Sequence, residues 1–186
     1  YQRSVDLQPV NSGVRSKLVN TYDSIYRFSN AMIHMDTLYN RKEISYTHQK
    51  LLAHYKMRSG NTNLARGLLK EIKQTDPFKD EELIALNGLL ELLSEKYKAS
   101  LEQYQQLLSL KPGDAMIMYS IARIYAVQNK KGPSFEWLKK AQENGFNYGY
   151  VLKYDPLLQN LRKTAAWKSW VSSFGYREYK LPAWVK

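Results

Sequence analysis

EELIALNGLLELLSEKYKASLEQYQQLLSLKPGD (residues 81–114) and AMIMYSIARIYAVQNKKGPSFEWLKKAQENGFNY (residues 115–148) are consecutive stretches that carry the same classes of side chain 34 positions apart. Gly88 answers Ala122, Ser100 answers Ser134, Tyr104 answers Leu138 and Pro112 answers Phe146. That period is the length of one helix-turn-helix hairpin, whose two helices need a small side chain where they cross. A single hairpin cannot bury its apolar face alone, so repetition of the unit implies stacking. The expected fold class is all-α, an α/α superhelix of helical hairpins.

The same residues resemble the tetratricopeptide repeat family. The run Ser100, Leu101, Glu102, Gln103, Tyr104 through Lys111 and Pro112 resembles the second helix of that repeat, from its small twentieth position to its proline. In the next unit Ile121 and Ala122 match the leucine-glycine step, Tyr125 the aromatic eleventh position, then Ser134, Leu138 and Ala141 follow. A third copy reads upstream over residues 46–79 through Leu52, Ala53, Gly60, Ala65, Leu69, Ile72 and Pro77, joined to the next with one extra residue. Lys56 and Glu91 depart from the pattern, filling the slot usually held by an aromatic, which predicts first helices rotated or shifted by a residue in these two copies.

Outward from the repeats, residues 14–40 place Leu18, Val19, Tyr22, Ile25, Tyr26, Ser29, Met32 and Ile33 at helical spacing. This predicts a long amphipathic helix or a tight helical pair packing on the first repeat. Asp80 with Glu81 and Glu82, Asp114 after Pro112 and Gly113, and Asp155 before Pro156 are expected helix starts, because an N-cap oxygen and negative charge suit the free amides there. Helices are expected over 156–163 and from Thr164 to Ser173, closed by Gly175. Gly145 and Phe146, followed by Asp155, Pro156, Leu157, Leu158, Gln159, Asn160, Leu161, Arg162 and then Trp167, resemble the terminal segment found after the last repeat in many tetratricopeptide proteins, where Leu157, Leu158, Leu161, Trp167, Trp170 and Val171 would cap the apolar flank of the last hairpin. The organisation expected is 1–45 an N-terminal helical segment, 46–148 three hairpins (46–79, 81–114, 115–148), and 149–186 capping helices with a basic aromatic tail from Tyr176 to Lys186.

With 186 residues and 44% apolar content the chain can bury a core as one domain or array. The absence of cysteine excludes a disulfide framework, a thiol nucleophile and cysteine-ligated zinc, and fits cytoplasm and bacterial periplasm equally. The apolar stretch from Met116 to Val127 holds Arg123 and falls short of the roughly 18–20 residues a spanning helix needs, so a soluble chain or fragment is expected. Residues 1–12 lack the apolar core of a signal peptide, so a targeting segment is expected to be removed or to lie outside this sequence. The net charge of +11 is uneven: +7 over residues 1–79, −1 over 80–147 and +5 over 148–186. Such basic ends can steer an acidic protein, an anionic surface or nucleic acid.

The side chains that carry chemistry are not in chemical patterns. His34, His48 and His54 do not form the His-Glu-Xaa-Xaa-His pair of zinc hydrolases, the glycines are isolated, and no serine sits in a nucleophile elbow. Glu81 with Glu82, and Glu91 with Glu95, read as a cap and a solvated face. The chain is therefore expected to be non-catalytic, with no cofactor and no metal. By the resemblance, function resides in a groove lined by the first helix of each hairpin, at Lys50, His54 and Met57, then Ala85, Leu89 and Leu92, then Tyr119, Arg123 and Ala126. Tyr119 and Arg123 are expected to be an anchor pair for the partner. Family members that grip the carboxyl terminus of chaperones use a lysine and asparagine pair, a second asparagine, and a further lysine and arginine. Those places hold Lys50 and His54, Leu86, and Met116 and Ser120 here, so only the lysine matches. The expected role is an interaction scaffold for a peptide or helix of a protein partner, acidic by charge, alone or in a larger or cell-envelope assembly. The competing expectation is a basic helical-repeat module for nucleic acid or an anionic surface, which Leu89 and Leu92 disfavour because a base-reading code needs polar residues there. The oligomeric state is left open.

Overall fold

The computed structural model describes residues 11–25, 27–75 and 80–173. Among these, every regular element is a helix: α1 (Ser12–Ser24), α2 (Phe28–Asn40), α3 (Tyr46–Arg58), α4 (Thr62–Thr75), α5 (Glu81–Leu93), α6 (Tyr97–Leu110), α7 (Ala115–Val127), α8 (Lys131–Glu143), α9 (Gly149–Tyr154), a 3-10 turn (Pro156–Leu158), α10 (Gln159–Arg162) and α11 (Ala165–Ser173). The chain divides into two compact units, Tyr1–Gln103 and Tyr104–Lys186, with the border inside α6.

In the first unit α1 packs on α2, α3 on α4, and the pairs join through α2 with α3, α4 with α5 and α3 with α5. Their core holds Val19, Met35, Leu38, Leu52, Leu68, Leu69, Ile72 and Leu90. The stretch expected as one helix or a pair is a pair, α1 and α2, which makes a hairpin of its own. Leu18 and Val19 are buried and Tyr22 and Met32 pack on the core as expected, but Ile25 and Ile33 are 52% and 62% exposed, and on α2 Ala31, His34, Met35 and Leu38 turn inward instead. Tyr26, Pro77, Gly175 and the tail from Tyr176 lie outside the described residues.

The small residues that decide the fold meet one another. Ser100 Oγ donates 2.7 Å to the carbonyl of Gly88, and Ser134 Oγ donates 2.7 Å to the carbonyl of Ala122. Both serines are fully buried, as are Ala53 and Ala65 at the corresponding places in the upstream hairpin. A hydroxyl reaches the opposing helix backbone only when the crossing is close, and at zero exposure it must find such an acceptor.

Helices α3, α5 and α7 also end the same way. Gly60, Glu95 and Asn129 adopt φ of +82°, +60° and +57°, and the amides after them bond back to Lys56, Glu91 and Tyr125. This is the left-handed turn that closes a helix and re-aims the chain, and glycine alone adopts it without steric penalty. The expected shift of helices at Lys56 and Glu91 does not occur, because α3, α5 and α7 each span 13 residues from an Asp or Ser cap. Lys56 instead pairs with Asp36 of α2 at 2.7 Å, and Glu91 with Arg66 of α4 at 2.5 Å, so each ion pair ties the helix to the preceding one.

In the second unit α7 packs on α8, and the 3-10 turn and α10 on α7. Leu158, Leu161, Trp167 and Trp170 bury themselves with Leu138, Ala141 and Phe146. Trp170 also donates from its indole to Gln142 Oε1 at 3.1 Å. Asp80, Asp114 and Asp155 cap their helices as expected, accepting from Leu83, from Met116 and Ile117, and from Leu157. The helix expected over 156–163 is a 3-10 turn running into one turn of α-helix, and α9 ahead of it has no counterpart in the sequence reading.

Two expected outcomes follow in denaturant melts. Ala122→Leu overpacks the crossing and costs about 1–3 kcal/mol, whereas Ser134→Ala, which keeps the closeness and loses one hydrogen bond, costs about 0.5–1.5 kcal/mol. Glu95→Gly relieves the left-handed residue and gains about 0.5–1 kcal/mol, while Gly60→Ala loses about 1 kcal/mol; equal effects at 60 and 95 would contradict this account of the turns.

Candidate partner-binding site

Three of the first-helix positions expected to line a groove, Lys50, Tyr119 and Arg123, belong to two polar clusters, one in each unit. In the first, Lys50 Nζ lies 2.8 Å from Asp80 Oδ2 and 2.5 Å from Glu82 Oε2. Tyr46, one turn before Lys50 on α3, donates its hydroxyl to the same Asp80 oxygen at 2.5 Å, and the ammonium rests 4.6 Å from the Tyr46 ring centre. Asp80 caps α5 through its other oxygen. Burial alone would raise the Asp80 carboxyl, but hydrogen bonds from Lys50, Tyr46 and the Leu83 amide, with the Lys50 charge, bring it down to about 2. Burial likewise works against charged Lys50, yet its bonds to Asp80 and Glu82 and their charges raise it above the ordinary lysine value.

In the second unit the pattern returns with other residues. Tyr119 donates its hydroxyl to Asp155 Oδ2 at 2.5 Å. Arg123, one turn on, brings Nε to 2.8 Å from that oxygen; the contact is an ion pair in which the N–H is not aimed along a hydrogen bond. The guanidinium sits 5.7 Å from the Tyr119 ring centre, and Asp155 caps the 3-10 turn with its other oxygen. Burial raises the Tyr119 phenol far above its ordinary value, and the Asp155 hydrogen bond and charge add to this against Arg123 and Arg162. Arg162 completes the corner by donating to the carbonyls of Leu152 and Asp155 at 3.1 and 2.8 Å.

These contacts separate the nine expected residues. Met57, Leu92, Tyr119 and Ala126 are buried, and Tyr119 stacks on Phe146 with ring centres 4.5 Å apart. Tyr119 and Arg123 are therefore joined as a pair, but the phenol is spent on Asp155 rather than shown to solvent. His54, Ala85 and Leu89 are half-buried on α3 and α5, which pack side by side. Burial lowers the His54 pKa, the Arg58 charge lowers it further, and Glu82 and Asp23 oppose this. The links to Asp80 and Asp155 span 30 and 32 residues, and nothing in the sequence marks them beyond the capping role of each aspartate.

Solved structures share this arrangement of helices. That of a tetratricopeptide repeat protein from Parabacteroides merdae matches with a TM-score of 0.73 over 96% of this chain and 71% of its own, at 17% identity. The fold is that of tetratricopeptide repeat proteins. YrrB, described as a TPR protein with an unusual peptide-binding site, matches the TPR fold of this chain at a TM-score of 0.66 and 16% identity, over 83% of this chain and 79% of YrrB. MamA matches at 0.61 and 19% identity, over 83% of this chain and 88% of MamA. No protein-family model and no curated protein matches the sequence. No helix among the described residues is long and apolar enough to cross a membrane.

In TPR terms, Lys50 and Arg123 are first-helix cations already neutralised from within. The Asp80 carboxyl is depressed on folding, so its stabilisation is complete above about pH 4 and is lost as pH falls from there through 2. Asp80→Asn keeps a capping side chain while deleting the charge, and should cost on the order of 1–2 kcal/mol near pH 6. The gap between the two proteins should close between pH 4 and pH 2 in urea melts; a gap independent of pH would contradict the ion pair.

Proposed function

We propose that the chain is a non-catalytic protein-binding module that holds a peptide or helix of a partner against the first helices of its hairpins. The observation that carries this is the α3–α5 face of the first unit, where His54, Ala85 and Leu89 are half-buried beside the Lys50–Glu82 pair. Small and apolar side chains on a half-buried helix face suit an amphipathic or extended segment, whose apolar residues would cover Ala85 and Leu89. The peptide-binding site named for YrrB supports this reading by likeness of fold. The non-catalytic part rests on where the reactive groups are spent: His34 bonds Arg15, His48 bonds Asn20, and Asp80 and Asp155 cap helices and hold cations. A partner bearing acidic groups would approach a first unit whose segment 1–79 has a balance of +7.

The test is capture of a protein by the purified chain, its identification by mass spectrometry, and titration of the identified partner against Ala85→Gln and Leu89→Gln. Each substitution should weaken binding by about 1–3 kcal/mol, a loss of roughly five- to hundredfold, with little change in helical content. Binding indifferent to both substitutions contradicts the face. Tight RNA binding that falls steeply with salt and ignores both substitutions would point instead to a nucleic-acid module.

A further inference from the structure

An asparagine is followed directly by a glycine twice in the chain, at Asn87 with Gly88 and at Asn144 with Gly145. Asparagine is a thermolabile residue, because its side-chain amide can be lost to attack by the next backbone nitrogen. Glycine in the following place favours that attack, since no Cβ hinders its nitrogen from approaching. The two steps are alike in sequence and differ in structure.

Asn87 lies in the middle of α5, and its Nδ2 donates to the carbonyl of Leu83 at 2.8 Å. Gly88 is buried at the helix crossing, with its carbonyl taken by Ser100 Oγ. Bringing the Gly88 nitrogen to the Asn87 side chain would unwind α5 where it is held most tightly. Asn144 and Gly145 are instead exposed, in the turn that closes α8. Gly145 is left-handed at φ +94°, and no atom stands within 4 Å of the place a Cβ would occupy. Two hydrogen bonds hold this step closed, from Asn144 Nδ2 to the Lys140 carbonyl at 2.8 Å and from the Gly145 amide to the Gln142 carbonyl at 3.0 Å. Both belong to the exposed last turn of a helix, where local opening costs least.

We propose that Asn144 is a site of spontaneous modification, at which the backbone nitrogen of Gly145 closes on the side chain and converts asparagine to a mixture of aspartate and isoaspartate. The Gly145 N–H gives its proton to hydroxide, the nitrogen bonds to Asn144 Cγ, the Cγ–Nδ2 bond breaks and ammonia leaves. Water then opens the five-membered imide at one carbonyl or the other, so one water is consumed for each ammonia released. Either product places a carboxylate at the negative end of α8 and removes the donor to the Lys140 carbonyl. Isoaspartate also lengthens the main chain by one carbon, inside the turn whose 2.9 Å bond from the Phe146 amide to the Ala141 carbonyl seats Phe146 against Tyr119. The modification loosens that seat as the protein ages, with or without a partner bound.

The experiment ages the purified chain at pH 8 and at pH 6, digests it and separates the peptides by liquid chromatography with mass spectrometry, where the aspartate and isoaspartate products share a mass and differ in retention. In the native chain Asn144 should convert at least about tenfold faster than Asn87, because the helix interior opens far more rarely than the helix end. Conversion should be faster at pH 8 than at pH 6, since the attacking nitrogen must lose its proton, and unfolding in urea should bring the two asparagines to similar rates. Hydrogen exchange at the Phe146 amide should quicken in the aged chain and stay slow in aged Asn144→Gln, which cannot form the five-membered imide. Equal conversion of Asn87 and Asn144 in the native chain, aspartate without isoaspartate, or no dependence on pH would overturn the assignment. Unchanged exchange at Phe146 in the converted chain would overturn its structural consequence.

Discussion

The close crossing of the two helices within a hairpin is the constraint on which the other contacts depend. At Gly88 with Ser100, and at Ala122 with Ser134, a hydroxyl from one helix reaches a backbone carbonyl of the other. Where Ala53 and Ala65 stand instead, closeness is kept by size alone. Any larger side chain there would push the helices apart, and the residues that seal each unit are spaced for helices at this distance. In the second unit Leu138 and Ala141 meet the tryptophans of α11; in the first, Leu68 and Ile72 fill the space against Leu52 and Leu90.

Polar chemistry is spent in a consistent way around those crossings. Twice, a tyrosine and a cation one turn apart on a first helix converge on the aspartate that caps a later element, Tyr46 and Lys50 on Asp80, Tyr119 and Arg123 on Asp155. Each aspartate does two jobs with its two oxygens, capping the start of one segment and pinning another. The pairs are well shielded, so they set how one helix lies on the next more than they add stability. Their consequence for binding is that a partner's carboxylate would have to compete with Asp80 or Asp155. An exposed cation such as Arg58 meets no such competition.

Much of the fold is legible in the sequence because its determinants are local or periodic. The 34-residue offset reports the crossings directly, and Asp80, Asp114 and Asp155 announce helix starts through chemistry that spans three residues or fewer. Among the described residues the left-handed turns are visible at Gly60 and Gly145, whereas Lys42, Glu95 and Asn129 adopt the same conformation without the residue that signals it. The site is less legible. Lys50 and Arg123 look like free cations until residues 30 and 32 positions away are folded onto them. Tyr119 looks like an exposed aromatic until Phe146 stacks on it.

Native-state amide hydrogen exchange tests the central role of the crossings most directly. Amides around Gly88 and Ser100 in the first unit, and around Ala122 and Ser134 in the second, should open only with global unfolding of their unit and be the slowest to exchange. Faster exchange at these amides than in α1 or α9 would contradict the claim that the crossings hold the hairpins together.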